Sequence, residues 1–160
     1  MKLIIQIPCY NEEKTLPVTL RDLPKEIEGI DEIETLVIND GSEDSTVKVA
    51  RKEGVSHILD LPLNSGLADA FRRGIEKSLE LGADIVVNTD GDNQYRGADI
   101  VKLVKPILDK KAEIVIGCRD ILNIKHFSLT KKILQKVGSY VVRRLSKTDI
   151  PDTTSGFRAY

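Results

Sequence analysis

The sequence is poor in cysteine, has almost no net charge and contains no long apolar run. Its 160 residues include two cysteines, Cys9 and Cys118, and neither belongs to a Cys-x-x-Cys pair or to a Cys/His cluster with zinc spacing. Both are therefore expected to be free thiols in a reducing compartment and to pack in the core. A formal net charge of −1 gives no reason to expect nucleic-acid binding through bulk charge.

No segment has the pattern of a membrane span or a signal peptide. No window reaches the roughly 18 apolar residues that a spanning helix needs. The N-terminal run of residues 1–5 is too short for a signal peptide and lacks a small-residue cleavage site. We therefore expect a soluble domain on the cytoplasmic side, which could reach a membrane face only as part of a longer protein. Residues 1–160 are expected to form one domain, truncated at its C-terminal end.

Two common phosphate-binding motifs are also absent. No G-x-G-x-x-G follows the first apolar run, and no G-x-x-x-x-G-K-[ST] occurs anywhere. This argues against a dinucleotide-dependent oxidoreductase and against a P-loop NTPase. If the chain binds a nucleotide, its phosphates must be held in another way, and a carboxylate-bound metal is the one that the sequence offers.

What is present is an alternation of short apolar runs with longer amphipathic stretches. The runs predict strands over residues 3–7, 34–39, 56–61, 84–88 and 113–116. The longer stretches predict helices over about 12–28, 42–54, 66–81, 98–111 and 129–145. Such alternation predicts an α/β domain with a mostly parallel sheet and right-handed crossovers. The near-continuous Ile, Val and Leu runs indicate that helices cover both faces of the sheet.

Polar groups follow every predicted strand, at the edge where open α/β sheets bind ligands. The sharpest of these segments is Asp90-Gly91-Asp92, which ends the fourth strand. Carboxylates two residues apart on an extended segment can point to the same side, and two close acids favour a cation between them. Mg²⁺ or Mn²⁺ suits such hard oxygen ligands, and Gln94 could add an amide oxygen. Taken alone, the segment is more typical of an ordinary Asp/Gly turn.

Six motifs in order resemble the family 2 glycosyltransferases of GT-A (Rossmann-like) fold. The resemblance covers essentially the whole chain and is strongest to the dolichyl- or polyprenyl-phosphate hexosyltransferase branch. The motifs are Pro8-Cys9-Tyr10-Asn11-Glu12, Ile38-Asn39-Asp40-Gly41-Ser42, Asn64-Ser65-Gly66-Leu67, Asp90-Gly91-Asp92-Asn93-Gln94-Tyr95, Gly117-Cys118-Arg119 and Asp152-Thr153-Thr154-Ser155-Gly156-Phe157-Arg158. Together they outweigh the interpretation of Asp90-Gly91-Asp92 as a turn.

The resemblance implies an inverting transfer of a hexose from a GDP- or UDP-sugar, with Mg²⁺ or Mn²⁺ on the donor diphosphate. The metal ligands would be Asp90, Asp92 and Gln94, and the catalytic residues Asp92, Arg119 and Asp152. Arg119 would reach the donor or acceptor phosphate. The implied substrate-binding residues are Pro8, Tyr10, Asn11, Glu12, Ile38, Asp40, Gly66, Gly91, Lys131, Lys132 and Arg158. Among these, the first strand's loop would line the nucleoside pocket, and Asp40 would meet the base or ribose.

The sequence departs from the family pattern at several positions. Asn39 stands where the family often has Asp, Gly91 where it often has Ala, and Arg96 where it often has Pro. The lipid-phosphate branch commonly has Arg near the start of the last helix, where this chain has Lys131 and Lys132. Lysine keeps the positive charge but loses the bidentate fork of arginine, which weakens the case for a lipid phosphate as acceptor.

Four functions therefore stay open from the sequence. A polyprenyl or dolichyl phosphate is the favoured acceptor and, being an anion, needs no strong general base. A saccharide hydroxyl would need one, and Asp152 is the candidate, with a loop acid as the alternative interpretation. A sugar nucleotidyltransferase would usually have a Gly-rich basic loop after the first strand, which is missing here. The fourth is a domain that binds a nucleotide-sugar without turning it over. Neither the sugar, the base nor the oligomeric state can be read from the sequence.

Overall fold

The computed structural model describes residues 1–118, 138, 140–145, 147, 150 and 152–160. Six strands lie within these residues: β1 (Lys2–Cys9), β2 (Glu32–Asp40), β3 (His57–Leu61), β4 (Ile85–Asn88), β5 (Val115–Ile116) and β6 (Arg158–Ala159). Four α-helices are bounded within the described residues: α1 (Leu16–Asp22), α2 (Thr46–Lys52), α3 (Leu67–Glu80) and α4 (Ile100–Leu108). A 3-10 turn, Gly97–Asp99, leads into α4.

The strands form one sheet in the order β3-β2-β1-β4-β6-β5. The pairs β1–β2, β1–β4 and β2–β3 are parallel, as the alternation of strands and helices predicts. The final strand, β6, runs antiparallel to both of its neighbours, β4 and β5. The mixed α/β fold with a mostly parallel sheet is therefore confirmed, with one antiparallel strand inserted near an edge.

Alternate residues of β1 supply two cores because successive side chains of a strand point to opposite faces. Leu3, Ile5 and Ile7 belong to the larger cluster, which α1 and α4 cover through residues such as Leu16 and Val104. Ile4 belongs to the smaller cluster, with Leu36, Ile38, Leu61 and Ala70, under α3. Helices thus lie on both faces of the sheet, as predicted.

Three sequence predictions need correction. Helix α1 begins at Leu16 and not at Glu12, with Pro17 in its first turn; residues 13–15 form turns before it. The predicted helix over 98–111 begins as a 3-10 turn and ends at Leu108. Strand β6 was not predicted, since two residues give too short an apolar pattern to recognise.

The two cysteines differ in environment. Cys9 is buried, as predicted, whereas Cys118 is exposed, so the expectation of core packing is wrong for Cys118. Most of the helix predicted over residues 129–145 lies outside the described residues, although residues 140–145 are helical. None of the described helices combines the length and hydropathy that a bilayer-spanning segment needs.

Candidate active site

The strand order reverses between β1 and β4, because β2 follows β1 on one side and β4 lies on the other. A crevice beyond the carboxyl ends of strands at such a reversal is the usual ligand site of an open α/β sheet. The segment after β1 begins at Tyr10, and the segment after β4 contains Asp90 and Asp92. The topology therefore brings the first and fourth sequence motifs to the same place.

Gly91 is held between the β1 loop and α1. A Cβ at this position would lie 3.0 Å from Cys9 Sγ and 3.4 Å from Glu12 Cγ. The Thr19 hydroxyl of α1 donates a 3.0 Å hydrogen bond to the Gly91 carbonyl. Burial, and next the negative charges of Glu12 and Asp90, raise the pKa of the Cys9 thiol. Cys9 is buried at 2% exposure and packs beneath the loop.

Asp92 and Gln94 are joined to each other. The Gln94 backbone amide donates to Asp92 Oδ1 at 3.1 Å, and the Gln94 side-chain amide donates to Asp92 Oδ2 at 2.5 Å. The Gln94 nitrogen, and not its oxygen, thus faces this carboxylate. The arrangement orients Asp92, while the predicted role of Gln94 as a metal ligand stays a prediction.

Asp90 lies against the C-terminal motif. A Cβ at Gly156 would be 3.1 Å from Asp90 Oδ1, so a larger residue would force the Asp90 carboxylate to move by a few tenths of an ångström. The rings of Tyr95 and Phe157 stack with centroids 4.8 Å apart, and the Gly156 amide donates to the Tyr95 hydroxyl oxygen at 3.3 Å. The structure therefore joins two motifs that lie more than 60 residues apart in the sequence.

The loops after β1 and β2 are connected by hydrogen bonds between side chains and backbone. The Asn11 amide donates to Ser42 Oγ at 2.9 Å, and Asn11 Oδ1 accepts from the Glu43 amide at 2.9 Å. The Glu12 amide donates to Thr46 Oγ1 at 2.8 Å. Asn11 adopts a positive φ of 57°, a conformation that asparagine tolerates better than most residues. Tyr10 is 46% exposed beside this pair of loops, as a ligand-contacting ring would be.

Asp40 connects the second and third motifs. Its Oδ1 accepts from the Ser65 amide at 2.8 Å and from the Ser65 hydroxyl at 3.0 Å, and its Oδ2 accepts from the Gly66 amide at 2.9 Å. Asp40 is only 4% exposed. These contacts give it a role in holding the start of α3; its predicted contact with the base or ribose stays a prediction.

The C-terminal motif is tightly folded on itself. Asp152 is 1% exposed and accepts a 2.9 Å hydrogen bond from the Thr154 hydroxyl. The Arg158 guanidinium donates to the Ser155 and Thr153 carbonyls at 2.7 and 2.9 Å. Arg158 therefore shapes the turn that contains Ser155 and Gly156.

Several predicted site residues fall elsewhere. Pro8 and Ile38 are buried in their strands, and Ile38 packs in the core under α3 with no exposed surface. The predicted place of Ile38 among the substrate-binding residues stays a prediction. Arg119, Lys131 and Lys132 lie outside the described residues.

Sequence reasoning missed three residues that support the site. Thr19 donates to the loop that carries Asp90 and Asp92. Gln6 and Asn88 form a buried pair on β1 and β4, with Gln6 Nε2 donating to Asn88 Oδ1 at 2.9 Å. An available signal was the polar amide inside each of two otherwise apolar strands, because a buried amide needs a hydrogen-bond partner.

Known proteins resemble this chain along nearly its whole length. A dolichyl-phosphate N-acetylglucosaminyltransferase of Methanococcus voltae, which uses UDP-N-acetylglucosamine, is 32% identical over 96% of this chain and 67% of its own. An undecaprenyl-phosphate mannosyltransferase of Micrococcus luteus is 30% identical over 100% of this chain and 66% of its own. The chain thus spans about two thirds of the length of these relatives.

A solved structure supports the fold. The chain superposes on glucosyl-3-phosphoglycerate synthase of Mycobacterium tuberculosis, solved with Mn²⁺, UDP and glucosyl-3-phosphoglycerate, with a TM-score of 0.72. The two are 22% identical, and the match covers 99% of this chain and 56% of the other. The family model for glycosyl transferase family 2 matches residues 4–160. This chain therefore belongs to glycosyl transferase family 2.

Proposed function

We propose that this chain is the donor-binding catalytic part of an inverting glycosyltransferase that moves a hexose from a UDP- or GDP-sugar to a polyprenyl or dolichyl phosphate. The observation that carries the proposal is the contact between Asp90 and Gly156. It joins the carboxylates at the end of β4 to the C-terminal motif, so donor-side and acceptor-side groups share one crevice.

The donor set fits a divalent metal of the Mg²⁺ or Mn²⁺ type. Asp90 and Asp92 offer hard carboxylate oxygens, and within the described part of the chain no three His, Cys, Asp or Glu residues form a metal cluster. Mg²⁺ commonly takes one or two carboxylates and completes its shell with phosphate oxygens and water. The site therefore suits a metal that binds together with a diphosphate. Asp90 and Asp92 would hold this ion, which would supply Lewis-acid stabilisation of the negative charge on the leaving diphosphate.

The residues of the chain position the donor around that diphosphate. Tyr10, exposed at the mouth of β1, offers a ring to the nucleoside, and Asn11 and Glu12 fix the loop beside it through Ser42 and Thr46. Gln94 holds the Asp92 carboxylate in place by donating to both of its oxygens. Arg119 would add a charge-assisted contact to a phosphate.

A lipid phosphate is the acceptor that agrees best with the C-terminal motif. Asp152 is 1% exposed and accepts from Thr154, which suits a carboxylate that shapes the motif better than a base that takes a proton from a hydroxyl. A phosphate acceptor is already an anion and needs no strong base. The relatives from Methanococcus voltae and Micrococcus luteus, a dolichyl-phosphate and an undecaprenyl-phosphate glycosyltransferase, support the same acceptor class. Such an acceptor would place the reaction at a membrane face, and Lys131 and Lys132 would meet its phosphate.

The donor-site proposal predicts metal-dependent stabilisation by nucleotide. UDP or GDP should raise the melting temperature only with Mn²⁺ or Mg²⁺ present, and a ligand at 100 times its Kd adds about 2.7 kcal/mol. Asp92→Ala should abolish the rise. Asp84→Ala is the matched control, because Asp84 accepts from the Lys2 amide at the amino ends of β1 and β4, whereas Asp92 follows the carboxyl end of β4. Stabilisation without metal, or none with either nucleotide, would contradict the proposal.

The acceptor requires a separate measurement. Transfer from UDP- and GDP-hexoses should be assayed with undecaprenyl phosphate in detergent and, in parallel, with a free saccharide. We expect a lipid-linked product with one of the two nucleotides. A saccharide product with no lipid product would replace the lipid phosphate with a hydroxyl acceptor and restore Asp152 as the candidate base.

A further inference from the structure

Two buried side-chain amides form a hydrogen-bonded pair across β1 and β4, close to the proposed metal loop. Gln6 on β1 and Asn88 on β4 are neighbours in the parallel register, and they are 0% and 3% exposed. Gln6 Nε2 donates to Asn88 Oδ1 at 2.9 Å, and Asn88 Nδ2 donates to the Gly156 carbonyl at 2.7 Å. These two hydrogen bonds therefore connect β1 to the C-terminal motif through Asn88.

The direction of these hydrogen bonds is fixed by the Gly156 carbonyl, which can only accept. Asn88 must turn its nitrogen to this carbonyl, and its oxygen then faces Gln6 and must receive a donor. Gln6 Oε1 is consequently left facing α3, where a Cβ at Gly74 would lie 2.6 Å away. This oxygen is buried and has no hydrogen-bond partner among the described residues.

An unsatisfied buried oxygen is costly, and two apolar side chains would fill the same space without that cost. What the amide pair provides in return is a fixed point for Gly156. Asn88 is the last residue of β4, two residues before Asp90, and Gly156 packs against the Asp90 carboxylate. The Asn88 side chain therefore links the end of β4, just before the metal loop, to the C-terminal motif, and it adds to the hydrogen bond from the Gly156 amide to Tyr95.

We propose that Asn88, held by Gln6, is a positioning residue that keeps Gly156 against Asp90 and thereby maintains the geometry of the metal–diphosphate site. This inference rests on the proposed function. Asn88 acts through Gly156 and does not contact the substrate. Its removal should raise the Mn²⁺ concentration that nucleotide binding requires.

The test is the Mn²⁺ concentration that gives half-maximal thermal stabilisation by saturating UDP or GDP. Asn88→Leu should raise this concentration about tenfold and should also lower the melting temperature. Gln6→Leu combined with Asn88→Leu also removes the Gln6 amide that the single variant leaves without a partner, so it should recover part of the melting temperature. The double variant should keep the raised Mn²⁺ requirement, because the Gly156 carbonyl still lacks the Asn88 amide.

Ser78→Ala is the matched control. Ser78 is a fully buried residue of α3, and its hydroxyl donates to the Gly74 carbonyl of the same helix at 2.8 Å. This variant should lower the melting temperature and leave the Mn²⁺ dependence unchanged. A double leucine variant with wild-type Mn²⁺ dependence would overturn the positioning role and leave the proposed function standing. A wild-type protein without Mn²⁺-dependent stabilisation would overturn the proposed function, and the inference with it.

Discussion

Gly91 and Cys9 occupy adjoining space beneath the loop that carries the two carboxylates. Gly91 is not among the glycines with positive φ, so backbone conformation does not require glycine there. The constraint is the Cys9 sulfur, 3.0 Å from the position that a Cβ would take. The family often has alanine at this position, and the bulk of Cys9 gives a physical reason why this chain has glycine.

This contact predicts coupling between the two positions. Gly91→Ala should destabilise the fold by about 1–2 kcal/mol through overpacking. Combined with Cys9→Ala, which opens the space, the total cost should be at least about 0.5 kcal/mol smaller than the sum of the two single costs. Urea unfolding of the wild type and the three variants measures this difference.

Cys118→Ala provides the control for this double-mutant comparison of Gly91 and Cys9, since Cys118 is exposed. Its effect should add to that of Gly91→Ala within about 0.3–0.5 kcal/mol, as for independent sites. Additive costs for the Gly91 and Cys9 pair as well would show that the sulfur does not determine which residue fits at position 91.

At the residue scale, the sequence predicted which polar groups reach the crevice better than it predicted what they bind. Asp90 and Asp92 were predicted from strand-end position and motif order, and they lie at the reversal of strand order. Gln94 and Asp40 were predicted to contact ligands, yet each has hydrogen bonds to neighbouring loop residues. These bonds depend on side-chain orientation, which a spacing pattern does not contain.

At the scale of elements, Asp44 connects the loop after β1 to the loop after β2. The Asp44 carboxylate accepts from the Glu13 amide at 3.0 Å and from the Thr46 amide at 2.9 Å. Partial desolvation opposes ionisation, but the hydrogen bonds from Thr46 and Glu13 outweigh it and lower the pKa of Asp44 from its usual 3.8. The charged carboxylate thus holds the start of α2 to the β1 loop.

This lowered pKa has a defined effect on stability against pH. A carboxylate whose pKa falls on folding stabilises the protein fully above its unfolded pKa, and the contribution disappears as pH falls through the folded pKa. For Asp44 that window lies below about pH 4. Asp44→Asn should therefore flatten the loss of stability in acid, measured as the urea midpoint from pH 5 to pH 2.

Asp109→Asn separates this effect from surface ion pairing. The pKa of Asp109 is also lowered, first by a hydrogen bond from Lys111, and this pair is exposed to solvent. Near 1 M salt the Asp109 contribution should vanish by screening, because the Debye length is then about 3 Å. The Asp44 contribution should persist, since neutral donors supply it. Equal salt sensitivity of the two would contradict the role given to Asp44.

Element types were predictable and element ends were less so. The apolar runs of β1 and β2 gave strand positions close to those observed, because a strand buried on both faces is apolar throughout. Helix α1 begins four residues later than predicted. The Leu16 amide donates to the Glu12 carbonyl at 2.9 Å, but Pro17 has no amide hydrogen to give the next bond of the series to Glu13.

At the scale of the whole molecule, β6 joins β4 to β5 and so completes the sheet beside the crevice. Strand β6 lies between β4 and β5, and its antiparallel direction breaks the predicted parallel order. Its flanking Phe157 is 5% exposed and stacks on Tyr95. Gly117 beside β5 leaves room for the same ring, because a Cβ there would lie 2.6 Å from it. Three segments distant in sequence therefore meet at one side chain.

Phe157→Ala should consequently lower the free energy of unfolding by about 3–5 kcal/mol, the usual cost of emptying a phenylalanine site in a core. That is a large part of the roughly 5–15 kcal/mol that stabilises a typical domain. The loss should also release Gly156 from Asp90, so the Mn²⁺ requirement of nucleotide binding should rise as it does for Asn88→Leu. Chemical denaturation and the nucleotide-dependent melting temperature measure the two effects.

Phe71→Ala is the matched control, because this substitution should cause neither the large loss of stability nor the rise in Mn²⁺ requirement. Phe71 is only partly buried on α3, where its ring centroid lies 5.9 Å from that of Tyr160. Its loss should cost less than about 2 kcal/mol, because less apolar area is exposed to water. The Mn²⁺ requirement should not change, since Phe71 does not contact the Asp90 loop. Equal costs for the two variants, or a Phe157 variant with wild-type Mn²⁺ dependence, would mean that β6 completes the sheet without shaping the site.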